Sequence, residues 1–376
     1  MNNPFVTKGY AGEAYFCDRV KETEDLVKLL TNENNMALIS PRRIGKTDLI
    51  HHCFAQPEIK KKYYTFIIDI YATRSLADFV EVFGKAIIEE LKPFGRKAWE
   101  RFLTTLKSIQ QQITFDINGN PVWGIGVGNF VNPATTLDEI FSYLNTADKP
   151  CLVAIDEFQK ITDYPNGENV EATLRTYVQR CPHATFLFSG SKRHLMTEIF
   201  LSPSRPFYQS VITMGLNPIS EDKYAAFAKE LFSWGDKTLD DDVVPLVYAR
   251  FQGITAYLQR VMNVLYLNTP KGENCTADMT DDAIDYILSL NNEHYETLFS
   301  QMSEKQRPVF LAIAKERRAT GISSSQFVQK YRLSSPSSVV SAVRGLLDKD
   351  FITQEKEQYY VYDLFFQLWL ERRKVV

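Results

Sequence analysis

Two short segments hold side chains whose types and spacing bear on phosphate chemistry. The first is Ser40-Pro41-Arg42-Arg43-Ile44-Gly45-Lys46-Thr47-Asp48, which follows the apolar run Met36–Ile39. If Gly45-Lys46-Thr47 opens a helix, the unpaired backbone N–H groups and the positive end of the helix dipole form an anion site before any side chain acts. Lys46 would then reach the outer phosphates of a nucleotide, and the Thr47 hydroxyl would ligate the Mg²⁺ that accompanies them. Ser40 stands where the phosphate-loop pattern has glycine, which removes backbone freedom at the start of the loop. The second segment is Asp156-Glu157, at the end of the apolar run Cys151–Ile155. Asp156 suits a Mg²⁺ ion held through its water shell, and Glu157 suits a group that orients a water toward the terminal phosphate.

These residues need strands that end at one edge of a sheet. Met36–Ile39, Tyr64–Ile70, Cys151–Ile155 and Ala184–Phe188 read as continuous apolar runs, the pattern of strands buried on both faces of a parallel sheet, and Ser210–Leu216 supplies a fifth. Helical patterns separate them: a leading helix with Val20, Leu26, Val27, Leu29 and Leu30, then Leu76–Leu91, a helix near Thr136–Leu144 and one around Asn169–Arg180. Carboxylates at a strand's C-terminal end lie where open α/β sheets bind ligands. The strand Ala184–Phe188 ends in Ser189-Gly190-Ser191, so Ser189 or Ser191 either faces the terminal phosphate between the two segments or merely closes the strand. Ile113–Val127 reads as a hairpin turning at Asn118-Gly119, inserted between core elements, and its Gly124, Gly126 and Gly128 alternate as in a strand with no helix behind them.

Other chemistry finds little support. His51, His52, His183, His194 and His294 lack metal-ligand spacing, Cys17, Cys53, Cys151, Cys181 and Cys275 are scattered, and no Gly-x-Ser-x-Gly elbow is present. At 376 residues with 44% hydrophobic content the chain is long enough for two or three packed domains. No window reaches the apolar length of a membrane span, and the start Met1-Asn2-Asn3-Pro4-Phe5 lacks a signal peptide's apolar core, so a cytoplasmic protein with no membrane partner is expected. The net charge of −3 hides an asymmetry: from Ser303 onward there are 13 Lys/Arg against 8 Asp/Glu.

Residues 219–300 read as almost wholly helical, with segments Glu221–Phe232, Asp242–Phe251, Ile254–Tyr266 and Thr280–Glu296. Beyond them, Glu304–Lys315, Ser324–Tyr331 and Ser337–Leu347 precede two short strands around Glu355–Glu357, and Leu364–Arg372 adds a last helix. Three helices followed by a hairpin outline a winged helix. Its third helix carries Arg344 among serines and aliphatics, which suits either phosphate contacts to DNA or a regulatory module that docks on the nucleotide domain and opens with the nucleotide state.

Together these segments resemble the archaeal-type ATPases, a branch of P-loop ATPases related to the STAND and AAA+ classes. The likeness rests on Phe16-Cys17-Asp18-Arg19, on the phosphate loop Ser40–Thr47, on Ile155-Asp156-Glu157-Phe158-Gln159 and on Ser189-Gly190-Ser191. Gly253-Ile254-Thr255 falls where that family has a Gly-x-Pro lid motif near the adenine, with Thr255 in place of the proline. The resemblance implies an α/β fold: a five-stranded parallel P-loop core (residues 1–217) of the ASCE type, a helical lid (218–302) and a C-terminal winged helix (303–376). It also implies ATP as the nucleotide, Mg²⁺ as its ion, and slow or partner-stimulated hydrolysis that switches the arrangement of lid and winged helix. The alternative is a nucleotide-gated DNA-binding regulator. Related ATPases carry an arginine finger where Arg205 lies, so Arg205 either completes the site, across a homo-oligomer interface, or makes a local ion pair. Arg42 and Arg43 are expected either to fold over the phosphates or to anchor the segment around Asp18-Arg19.

Overall fold

In the computed structural model the described residues are 3–91, 104–105, 113–115, 121–123 and 133–374. The chain forms two compact units, Met1–Asp236 with Gln252–Tyr266, and Lys237–Phe251 with Leu267–Val376.

The first unit is built on strands β1 (Met36–Ile39), β2 (Tyr64–Asp69), β3 (Ile113–Phe115), β4 (Pro121–Trp123), β5 (Cys151–Asp156), β6 (Ala184–Gly190) and β7 (Ile212–Met214). Five of them form one parallel sheet in the order β2-β5-β6-β1-β7. Every residue of β5 and β6 is buried, as their continuous apolar runs require. Side chains alternate between the two faces. Tyr64, Phe66 and Ile68, Cys151, Val153 and Ile155, and Phe186 and Phe188 pack under the helices Leu76–Leu91, Pro133–Thr146, Gly167–Gln179 and Arg193–Leu201. On the other face Met36, Leu38, Leu152, Ala154 and Leu187 meet the helices Val20–Thr31, Lys46–Phe54 and Pro57–Lys62. The result is a three-layer α/β domain with β6 between β1 and β5, so the tip of β6 lies between the phosphate-loop strand and the carboxylate strand.

The expected inserted hairpin has its strands: β3 and β4 pair antiparallel, Ile113 opposite Trp123 and Phe115 opposite Pro121. Its turn at Asn118-Gly119 and the Gly124, Gly126 and Gly128 series lie outside the described residues. Among the described residues, two helices in this unit were not expected from pattern. Pro57–Lys62 is too short and polar to show periodicity and is started by Pro57 at its first turn. Arg193–Leu201 buries only Met196, Ile199 and Phe200.

The second unit contains the short parallel pair β8 (Thr238–Leu239) and β9 (Asn274–Cys275), with the helices Val243–Phe251, Met279–Leu290 and Asn292–Ser300. The last two were expected as one helix. Asn291 breaks it at φ −107° and ψ 11°, its side chain donating back to the Ile287 carbonyl at 2.6 Å, a competition with helix bonding typical of asparagine. The winged helix follows as helices Gln306–Glu316, Ser325–Lys330 and Pro336–Asp348, strands β10 (Ile352–Glu355) and β11 (Gln358–Val361), and helix Leu364–Arg372. Local chemistry sets its boundaries. Ser324, Ser335 and Asp363 accept N-cap bonds from Phe327, Ser338 and Phe365, and Pro336 occupies a first-turn position. Tyr295 stacks on Phe366 at 5.4 Å and Phe366 on Phe310 at 5.4 Å, so an aromatic column closes the module's core. Among the described residues no helix is long and apolar enough to cross a membrane.

Candidate functional site

The loop between β1 and the helix Lys46–Phe54 turns on two left-handed residues, Arg43 at φ 67° and Gly45 at φ 91°. The helix is pinned by Leu49, Ile50, Cys53 and Phe54, buried in the core, and no side chain caps its first amides, which leaves them for an anion. Ser40 is not in the left-handed region, so its Cβ costs nothing, and its hydroxyl is used. Fully buried, Ser40 Oγ accepts from the Leu216 amide at 2.5 Å and ties the loop to the segment after β7. Lys46 is 6% exposed and donates to the carbonyls of Ser40 at 3.0 Å and Pro41 at 2.8 Å, leaving one of its three N–H groups for a further acceptor. Burial lowers its pKa to about 8, against the pull of Glu157 and Asp156, and the positive charges of Arg42 and Arg193 add to the lowering.

Asp156 shares the sheet face of Leu152 and Ala154, and so points toward the phosphate-loop helix. There Thr47 Oγ1 donates to Asp156 Oδ2 at 2.6 Å. The other oxygen, Oδ1, accepts from the Glu157 amide at 2.9 Å. Glu157 itself is left-handed, at φ 56°, and this turns the chain into the 3-10 segment Phe158–Asp163. Its Oε2 accepts from Ser191 Oγ at 2.7 Å and from Gln159 Nε2. Ser191 accepts in turn from Arg42 Nε at 3.1 Å. Of the two serines at the tip of β6, Ser191 therefore reaches Glu157, whereas Ser189 is fully buried with its hydroxyl unpartnered. Asp69, paired in register with Asp156, has its pKa raised by burial and by the charges of Asp156 and Glu157.

The loop opens into a cavity of about 290 Å³. Arg42, Arg43, Ile44, Gly45, Lys46, Thr47, Asp48 and Glu157 line it, together with the segment Val6–Ala11 and Ile219, Tyr224 and Gln259. Thr255 and Ala256 also line it, at the start of the helix Thr255–Asn268, and the Ala256 amide donates to the Arg43 carbonyl at 3.0 Å. Asp48 has its pKa raised by burial. The two loop arginines part ways: Arg42 goes to Ser191, while Arg43 bonds the Tyr257 hydroxyl. The leading segment is tied to the loop by Arg19, which is 3% exposed, pairs with Glu22 at 2.7 Å and donates to the Ile44 carbonyl at 3.4 Å. Arg205 does not line the cavity. It pairs with the fully buried Glu171 and, at 3.2 Å, with Glu198.

Sequence reasoning missed Val6–Ala11 and Arg193 as neighbours of the site, and named Gln159 only as the end of the Ile155–Gln159 motif, without its bond to Glu157. Arg193 had a signal, two residues beyond Ser191, but Val6–Ala11 sits in a segment without periodicity. As a Mg²⁺ site, the Thr47 hydroxyl and Asp156 carboxylate supply a suitable pair of hard oxygen donors. Among the described residues no group of three or more His, Cys, Asp or Glu side chains is arranged to hold a metal unaided, so the ion would depend on phosphate oxygens and water.

Comparison with known proteins agrees with this architecture. The family model described as "Probable winged helix domain" matches residues 293–372. No curated protein matches the chain. Among solved structures, a Walker-type ATPase of Pyrococcus abyssi superposes with a TM-score of 0.66 at 16% identity, covering 98% of this chain and 99% of that one. The ORC2 protein of Aeropyrum pernix, in ADPNP-ADP complexes, gives a TM-score of 0.57 at 11% identity over 100% and 99% of the two chains. The ORC1 protein of Aeropyrum pernix, in complex with DNA, gives 0.56 at 11% identity over 100% and 98%. With its sheet order, its phosphate loop and its C-terminal module, this chain has the fold of the archaeal Walker-type and Orc-type P-loop ATPases, a parallel α/β core followed by a winged helix.

Proposed function

We propose that the protein binds ATP with Mg²⁺ and hydrolyses it slowly, and that the nucleotide state sets the arrangement of a helical lid (218–302) and the winged helix (303–376) against the nucleotide-binding part (1–217). One observation carries the reading: buried Lys46, an uncapped helix N-terminus and the Thr47–Asp156 pair converge at one edge of the sheet, beside Glu157. Lys46 and the first amides of its helix neutralise the outer phosphates. Thr47 and Asp156 hold Mg²⁺, which supplies further neutralisation of phosphate charge when bound. Glu157 orients the attacking water and accepts its proton as the water oxygen bonds to the terminal phosphorus; the bond between that phosphorus and the bridging oxygen breaks, and the diphosphate leaves. The adenine is held by Val6–Ala11, Tyr224, Thr255 and Gln259, which line the same cavity. Charge on the transferring phosphate is met either by Arg42 and Arg193 of the same chain or by Arg205 of a neighbouring copy.

The test is steady-state hydrolysis of ATP with Mg²⁺ at several protein concentrations, for wild type, Lys46→Ala and Glu157→Gln. We expect turnover to be lost in both variants, while Glu157→Gln still binds nucleotide. Turnover rising faster than linearly with concentration points to Arg205 of a second copy; a linear rise points to the arginines of the same chain. Absence of turnover together with nucleotide binding by wild type overturns the catalytic part of the reading.

A second reading, a nucleotide-gated DNA-binding regulator, is supported by the exposed face of the helix Pro336–Asp348, where Ser337, Ser341 and Arg344 lie outward, and by the ORC1 relative solved with DNA. Duplex binding that depends on salt, weakens with Arg344→Ala and changes between ADP and ATP analogues favours it.

A further inference from the structure

The carboxylate of Glu157 is held from two sides. Its Oε2 accepts from Ser191 Oγ at 2.7 Å and from Gln159 Nε2. Gln159 is only 2% exposed and rests against Gly190, where a Cβ would crowd both Met196 and Gln159 Oε1, the latter at 2.5 Å. Ser191 also receives a bond, from Arg42 Nε at 3.1 Å. A serine hydroxyl has one proton to give. While the Arg42 N–H is directed at its lone pair, that proton goes to Glu157, and each bond in the chain Arg42, Ser191, Glu157 strengthens the next.

Building on the nucleotide-site reading above, we propose that Ser191 is a positioning residue that couples Arg42 to Glu157, and that the terminal phosphate of a nucleoside triphosphate draws Arg42 away and so releases the carboxylate. Arg42 sits in the phosphate loop, close enough for its charge to act on Lys46, and is therefore within reach of the phosphate that Lys46 would bind. Once Arg42 turns to the phosphate, the Ser191 hydroxyl is free to follow it. Glu157 then loses one of its two donors and can turn to a water. A diphosphate lacks the group that competes for Arg42 and leaves the chain of bonds intact.

The energetic consequence is specific. Breaking the Arg42–Ser191 bond opposes triphosphate binding and does not touch diphosphate binding, since a ligand shifts an equilibrium only through its different affinities for the two states. A net hydrogen bond of ordinary strength corresponds to about threefold to tenfold in affinity.

The experiment is calorimetric titration of the full chain with Mg-ADP and with a Mg-bound non-hydrolysable ATP analogue, for wild type, Ser191→Ala and Ser191→Thr. We expect Ser191→Ala to bind the triphosphate analogue about threefold to tenfold more tightly than wild type does, with ADP affinity unchanged, and Ser191→Thr to restore the wild-type ratio. Gln159→Met, which removes the second donor to Glu157 without touching Arg42, leaves both affinities as in wild type and raises turnover. A triphosphate affinity in Ser191→Ala that is unchanged, weakened, or shifted equally with that of ADP overturns the coupling while leaving the site itself standing. Failure of wild type to bind either nucleotide overturns the site reading and the coupling with it, and Lys46→Ala serves as the reference for that outcome.

Discussion

The hydroxyl of Thr47 lies 2.6 Å from a carboxylate oxygen of Asp156, although 109 residues separate the two in sequence. Neither strand neighbours the other: β1 carries the loop before Thr47, β5 carries Asp156, and β6 runs between them. What brings the two side chains together is the helix Lys46–Phe54, which crosses the face of the sheet that Leu152, Ala154 and Asp156 share. The pair is thus a product of side-chain parity along β5. A one-residue slip in that strand would turn Asp156 to the opposite layer, among the phenylalanines Phe158, Phe186 and Phe188.

Asp156→Asn tests what the pair is for. The substitution keeps the shape, removes the charge and retains only one of the two bonds the carboxylate accepts, from Thr47 or from the Glu157 amide. If the pair holds a cation, nucleotide affinity measured with Mg²⁺ falls by about tenfold to a hundredfold. Measured with a chelator present, wild type and variant should bind alike. Equal loss under both conditions would mean that Asp156 supports the fold of the loop and not an ion.

Lys46 makes nucleotide binding depend on pH. Its pKa in the free protein is lowered to about 8, mainly by burial. Only the protonated amine attracts phosphate, so a bound anion raises the pKa again and binding above pH 8 takes up a proton. Affinity should therefore be flat below about pH 7.5 and fall by up to about tenfold per unit above pH 8, where wild type must first be protonated. Lys46→Arg keeps its charge throughout and should lose this slope, whatever its absolute affinity. Titration with Mg-ADP between pH 7 and 9.5 reads both curves.

Much of the site was legible because its parts lie at the ends of strands with unmistakable composition. Cys151–Asp156 is buried on both faces and could not be read otherwise, and the loop after Met36–Ile39 carries Gly45-Lys46-Thr47 as a helix start. What was hidden depended on tertiary placement. The choice between Ser189 and Ser191 turns on where β6 stops, at Gly190, which composition does not mark. Val6–Ala11 has no periodicity to betray that it walls the cavity. Gln159 reaches Glu157 only because a left-handed Glu157 starts a 3-10 turn, a conformation that non-glycine residues adopt when surrounding contacts impose it.

Ser40 departs from the phosphate-loop pattern, and restoring the pattern should harm the protein. The Ser40 hydroxyl is the acceptor for the Leu216 amide, at a site fully closed to water. Ser40→Gly or Ser40→Ala leaves that N–H buried without a partner, at a cost of about 1–3 kcal/mol. Glycine adds the entropy of a freer unfolded chain. Urea unfolding should show both variants destabilised, glycine the more so. A glycine variant as stable as wild type would mean that Leu216 finds another acceptor.

Arg205 has two readings that leave different traces. As an anchor, it neutralises Glu171, whose side chain is fully buried and whose pKa is raised by burial in spite of the arginine. As a finger, it would act on a nucleotide and matter little to the fold of its own chain. Arg205→Ala should cost about 3 kcal/mol if the ion pair anchors the helix Gly167–Gln179, because it strands a buried carboxylate. The pH dependence carries the sign. With the arginine gone, the folded-state pKa of Glu171 lies further above its unfolded value, so the folded form holds its proton where the unfolded form has lost it. The variant is then least handicapped below the unfolded pKa and loses stability relative to wild type as pH rises through the folded one. Arg205→Ala combined with Glu171→Gln removes the stranded charge and should recover part of the loss and all of its pH dependence. Unfolding midpoints that match wild type at every pH, with turnover reduced, would assign Arg205 to the nucleotide of a neighbouring copy instead.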